Sequence, residues 1–399
     1  WSVILAVLFI IKFQVNADCA EFADLEIHGF ISQGYLSSNE NNYQADTKQG
    51  SFQFNEMGIN FGKNLTDNLR IGLQIFSRDL GNTGNNEVEI DWAYGDYRWQ
   101  DWLGLRVGLV KMSEGIYNET RDIDMLRTFV LLPQGVYNET LRDSITRMWG
   151  TEIYGEIPLN SIGNFSYRIL IGTYTPDADN SGLTKFIEDA SPFAMEYLDY
   201  DNGIQYNGSL QWHSPVDGLR IGITAWKQNN LTLDFKNTQP LGPEIPANVT
   251  WELDMEYSSR VFSAEYTWEN LIFSAEYQYR ENSAIVHELG IEEIFNSEAY
   301  YAGISYRFSG LFEMGTYYSV SYPDKDDKNG DRFIQIGQPD FRAWQKDFAL
   351  CARFDFNEYW LLKLEGHVIN GVGDLFLMSN PEGFEENWYL FAAKVTFDF

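Results

Sequence analysis

Short segments of alternating apolar and polar residues recur from residue 25 to residue 399, joined by connections that are by turns short and long. The segments are 25–36, 51–62, 69–78, 87–99, 103–111, 148–157, 164–174, 203–213, 219–232, 251–268, 271–281, 298–308, 311–322, 344–356, 360–372 and 388–399, about sixteen in all. A period of two marks a strand whose faces meet different surroundings. Residues 63–68, 100–102, 158–163, 214–218, 269–270, 309–310 and 357–359 form the short connections, and long ones interleave with them. A soluble sandwich or propeller has no reason to keep that parity, and the 40–50-residue repeat of a propeller is absent. A transmembrane antiparallel β-barrel keeps it, with tight turns at one end and long loops at the other.

The faces agree. Leu69, Ile71, Leu73 and Ile75 share one side of their segment, with Arg70, Gly72 and Gln74 opposite. Phe348, Leu350, Ala352, Phe354 and Phe356 oppose Ala349, Cys351, Arg353 and Asp355 in the same way. A charge on the lipid face near the bilayer midplane costs about 2–4 kcal/mol, so the charged sides are expected to line the lumen. A polar lumen in a barrel this wide holds water. The composition fits: 16% aromatic residues, but no run of 18 apolar residues from which to build a membrane helix. A net charge of -30 argues against a nucleic-acid partner.

One connection is far longer than a hairpin needs. Residues 113–147 nearly repeat themselves, Gly115-Ile-Tyr-Asn-Glu-Thr-Arg-Asp122 returning as Gly135-Val-Tyr-Asn-Glu-Thr-Leu-Arg-Asp143. The stretch 124–133 between the copies is apolar enough to need burial. The expectation is a long third external loop folded into the lumen as a pore constriction. Its charges are Glu119, Arg121, Asp122, Asp124, Arg127, Glu139, Arg142, Asp143 and Arg147, with Glu114 beside them. Opposed charges across a narrow opening set up a field that sorts solutes; the plainer alternative is that they anchor the loop to the wall. Arg70, Arg106, Arg168 and Arg220 each follow a short turn, three within Leu-Arg-Ile/Val-Gly, and are expected to form an arc inside the lumen. Acids such as Glu152, Glu156, Glu252, Glu276 or Asp355 are candidates to neutralise them.

Residues 2–11 have the length of a signal-peptide core, and Val15-Asn-Ala17 offers a cleavage site, so 1–17 are read as a signal peptide and 18–399 as a single barrel domain. Cys19 and Cys351 are not expected to pair, and Cys19 lacks a lipoprotein box. His28, His213, His287 and His367 are scattered, with no HExxH motif and no Cys/His cluster. Gly208-Ser209 sits mid-strand without an elbow signature. No catalytic residue, metal or cofactor is expected. Residues 324–331 look faintly like a calcium loop but lack the closing Glu, and read as a solvated acidic loop.

Val395, Phe397 and Phe399 alternate up to a terminal aromatic. This end resembles the closing strand of bacterial outer-membrane proteins, which implies recognition by the barrel-assembly machinery. The resemblance extends to porins of about sixteen strands through IHGFISQGYL, GSFQFNEMGINFG, DWAYGDYRWQDWLGLRVGLVKM and the GIYNETRDID…LLPQGVYNETLRD loop, covering most of residues 25–155. Those segments look like a group of proteobacterial porins related to the phosphate-selective and general porins. The chain lacks the general porins' Pro-Glu-Phe-Gly-Gly signature and the Lys/Arg excess of phosphate selectivity, so the solute does not transfer. The resemblance implies a trimeric, passive channel for small hydrophilic solutes in a Gram-negative outer membrane, with lipid and lipopolysaccharide around it. An excess of 58 acidic over 28 basic residues points to weak cation preference. The residues also leave open a surface protein whose barrel only anchors its acidic loops.

Overall fold

In a computed structural model, residues 24–174, 182–191, 193–201 and 203–399 are described. The proposed signal segment, Cys19, and Asp177 and Asp179 of the acidic loop lie outside them. The strands, in chain order, are β1 (Glu26–Ser38), β2 (Phe54–Thr66), β3 (Leu69–Leu80), β4 (Val88–Gln100), β5 (Leu103–Lys111), β6 (Arg147–Pro158), β7 (Asn164–Thr173), β8 (Met195–Asp201) and β9 (Ile204–His213). They continue with β10 (Leu219–Asn237), β11 (Thr250–Trp268), β12 (Leu271–Val286), β13 (Ile291–Arg307), β14 (Phe312–Tyr322), β15 (Gln345–Asp355), β16 (Trp360–Gly371) and β17 (Asn387–Asp398). Neighbours in sequence pair antiparallel, and β1 closes the ring by pairing with both β2 and β17. β8 and β9 lie end to end along β10, so the 17 strands fill sixteen positions of one closed barrel.

Side-chain parity sorts the wall. Ile71, Val107, Ile171, Ile221, Phe262 and Phe348 stand exposed on the outside, an apolar belt of the kind that faces lipid. The inward positions between them are polar and buried, among them Gln74, Glu152, Gln278, Arg353 and Lys394. At the short-turn end Trp99, Trp102, Trp268, Phe308, Tyr359 and Trp360 form an exposed aromatic girdle, where rings suit the membrane–water boundary. The turns there are tight enough to select residues. Gly218 takes φ +78° at the β9–β10 turn, and a Cβ on it would lie 1.9 Å from the Thr267 carbonyl oxygen.

At the long-loop end the structure departs from the segments read in the sequence. β10 and β11 run for 19 residues each, about twice what a bilayer crossing needs. β12 and β13 likewise continue to Val286 and start at Ile291. β10 carries an irregularity between Gln228 and Leu231, with Asn230 at φ 53°. The extra residue shifts the alternation, so Leu231, Leu233 and Phe235 turn inward above it. The β5–β6 connection carries the short helix α1 (Arg142–Ile145), and the segment expected to be a loop from 175 to 202 holds α2 (Gly182–Ala190) and β8 instead.

Candidate functional site

The connection between β5 and β6 lies against the inward side chains of the barrel, and it meets almost the whole circumference. On one side the backbone N–H groups of Val130 and Leu131 both donate to Glu365 of β16 at 2.8 Å. The Arg127 carbonyl accepts from Arg353 of β15 at 2.9 Å, and Thr128 donates to Glu313 of β14. Opposite, Ser113 N–H donates to Asn207 of β9 at 2.9 Å, Gly115 N–H to Thr224 of β10 at 2.9 Å, and Ile116 N–H to Glu276 of β12 at 2.8 Å. Between these anchors Leu132, Val136 and Tyr137 are buried against Val261, Ala299 and Tyr301 of the wall. Each such side chain contributes about 1.5–3 kcal/mol on leaving water.

Apart from Glu119, the charged residues of the segment are buried or nearly buried in pairs. Asp124 is held by Lys394 at 2.8 Å, Arg127 at 3.0 Å and Lys363 at 3.5 Å, and accepts from Thr396 at 2.7 Å. Asp122 pairs with Lys111 at 2.8 Å and accepts from Gln74 at 2.8 Å. Arg121 pairs with Glu139 at 2.8 Å, Arg142 with Glu56 at 2.5 Å, and Asp143 with Arg78 at 2.8 Å. Arg147, which begins β6 rather than ending the loop, pairs with Glu89 and Asp91. Glu119 keeps the most exposure, at 40% of its side chain, and pairs with Arg168. Burial alone would push these carboxyls up, but the cations outweigh it. Lys111 and Arg142 hold Asp122 down at about 2, Arg121 and Arg142 hold Glu139 at about 2, and Lys394 and Lys363 hold Asp124 well below the usual carboxylate range. These pairs tie the segment to itself and to the wall.

The arginine arc is likewise compensated. Arg70 pairs with Glu26 at 2.7 Å, Arg106 with Asp96 and Glu152 at 2.9 Å each, Arg168 with Glu152 at 2.5 Å, and Arg220 with Glu265 at 2.9 Å. Arg70, Arg106 and Arg168 do border one cavity of about 530 Å³ at the short-turn end, while Arg220 sits apart beside Gly115 and Ile116. Of the acids expected to neutralise them, only Glu152 does so. Glu276 instead binds the internal loop, and Asp355 takes Arg307 and Arg353 at 2.7 and 2.8 Å. Glu156 is exposed, and Glu252 faces outward at the rim.

The partners that the sequence reading missed are Glu365, Lys363, Lys394, Glu56 and Arg78. Each occupies an inward position of a strand, so alternation signals its face but not its distant partner. Val395, Phe397 and Phe399 face outward, and the two aromatic rings join the girdle, Phe397 lying 4.9 Å from Trp360 and 5.8 Å from Phe399 between ring centroids. The β11–β12 pairing also brings Glu252, Asp254 and His287 within 4.8 Å of one another at the rim, a set that could hold a metal ion. His287 and Asp254 hydrogen-bond each other there at 2.5 Å.

A closed barrel of sixteen strand positions, with an apolar outer belt and a polar interior crossed by one long connection, is the architecture of the porins of Gram-negative outer membranes. No protein-family model and no curated protein matches the chain. Among solved structures it is similar to the outer-membrane OmpT of Vibrio cholerae, with a TM-score of 0.58 and 10% identity over 94% of this chain and 97% of that one. It is similar also to an anion-selective porin of Comamonas acidovorans (TM-score 0.57, 10% identity, 94% and 99% covered). A third is the outer-membrane channel DcaP of Acinetobacter baumannii (TM-score 0.55, 11% identity, 94% and 97% covered).

Proposed function

We propose that the chain is a passive diffusion channel of the outer membrane that admits small hydrophilic solutes and ions and weakly prefers cations. What supports this reading is a closed barrel with polar inward side chains and the β5–β6 connection across its interior, with a cavity of about 530 Å³ on either side of that connection. Glu119, the least buried charge of that connection, faces the lower cavity beside Arg106 and Arg168. In that role residues 113–147 are the constriction, and the ion pairs with the wall set how far it opens. The cavity's border carries Asp67, Asp96, Asp101, Glu119 and Glu156 against Arg70, Arg98, Arg106 and Arg168, a small acidic excess in keeping with cation preference.

The outward-facing row of Val395, Phe397 and Phe399 is the mark the assembly machinery would read. A homotrimer fits the porin fold, and one similar Vibrio cholerae structure is described as a trimer form. Purified protein in a planar lipid bilayer tests the reading. Discrete conductance steps are expected, whereas a barrel that stays electrically silent would favour a surface anchor.

A further inference from the structure

The upper chamber has the wrong lining for a purely hydrophilic passage. Above the β10 irregularity Phe235 points inward, and Trp251, Leu253 and Met255 of β11 face the same space. Phe186 of α2 closes it from one side and Phe376 from another, their rings meeting edge-on with centroids 5.2 Å apart. The result is an apolar chamber of about 530 Å³, within the range of small-molecule sites, set in the mouth of a barrel whose lower wall is polar.

Several of the polar groups at its border are already committed. Arg280 is paired with Glu114 at 3.3 Å and donates to the Val136 carbonyl at 3.0 Å; Asp374 accepts from Ser321 at 2.7 Å; Glu298 is paired with Lys328. Asn282 donates to the Phe295 carbonyl at 3.3 Å, but its Oδ1, on a side chain only 4% exposed, has no donor among the described residues. A charged ligand would lose its hydration among these apolar side chains, while the lining carboxylate of Glu293 stays exposed to water. A ring with a hydroxyl or amide N–H would bury its face and satisfy that oxygen.

We propose that this chamber is a binding site for an uncharged, ring-bearing amphiphile, whose ring lies among Phe235, Trp251 and Phe376 and whose donor group reaches Asn282 Oδ1. Calorimetric titration of the purified full chain with 4-nitrophenyl glucoside and with glucose tests it without requiring any flow of ions. The aryl glucoside is expected to bind at least about tenfold more tightly than glucose. Trp251→Ala and Phe376→Ser should each weaken it about tenfold, while Ile223→Ala on the lipid face should leave it unchanged. Phe376 lies in a loop, so its variant keeps the test open if Trp251→Ala fails to assemble. Equal heats for the two sugars, or binding indifferent to both aromatic variants, would overturn the site. A conducting barrel with no such binding, and a silent barrel that binds, are distinct outcomes, so this proposal and the channel reading fail separately.

Discussion

Asp124 shows at the residue scale how the inner loop is held. Its carboxylate meets Lys394, Lys363 and Arg127 with almost no water at hand. Removing one partner of a buried pair costs about 3–5 kcal/mol, because the others stay charged and unpaired. Asp124→Asn is therefore expected to loosen the loop while the barrel, held by its strand ladder, survives; faster protease cleavage within 113–147 alongside an unchanged heat-modifiable gel band would show it. The depressed carboxyls of Asp122, Asp124 and Glu139 fix the sign of the acid response. A carboxyl whose folded value lies below its unfolded one stabilises above about pH 4 and loses that contribution as pH falls toward its folded value. Channel current should be steady from pH 7 to about 4 and become noisier or larger between about 4 and 2. The absence of any change between about pH 4 and 2 would contradict this assignment. Asp374 has the opposite sign: burial pushes it up to about 6, so its packing near the chamber is favoured at low pH and weakens as pH rises through that value.

Among the elements, the β5–β6 connection carries the clearest expectation. Deleting residues 118–140 should raise single-channel conductance while the barrel still assembles, because the wall charges it leaves behind, such as Glu365 and Lys394, would then face water rather than protein. Unchanged conductance would mean that the segment does not limit flow. This element was legible in the sequence as an insert too apolar and too long for a turn. Its partners were not, since strand alternation names a face and leaves the pairing to three dimensions. β10 shows the other limit. Its alternation was followed only as far as Thr232, because the extra residue before Leu231 breaks the period of two. Read without that shift, Leu233 and Phe235 would have faced outward. The acidic stretch that holds α2 and β8 hid its helix for a related reason: Leu183, Phe186 and Ile187 pack onto buried clusters of the barrel interior, and nothing nearby in sequence announces them.

For the molecule as a whole, acids outnumber bases 58 to 28, yet most charges near the inner loop cancel in pairs. Ion preference then rests on the unbalanced remainder in the long loops and at the lower cavity, which salt screens within about 8 Å at physiological strength. The reversal potential in a KCl gradient is expected to have the cation-selective sign at low salt and to shrink toward zero as both solutions are concentrated. The anion-selective sign would mean that Arg70, Arg106 and Arg168 outweigh their partners.

The inner loop has one consequence beyond conduction. A ring of strands is a hoop, and a hoop squeezed by the lateral pressure of a bilayer can flatten into an ellipse without breaking a single ladder bond. Here Asn207 and Thr224 on one arc and Glu365 and Arg353 on another are tied through the same short stretch of backbone. That stretch works as an internal spoke. A tie of that kind opposes the flattening of the hoop.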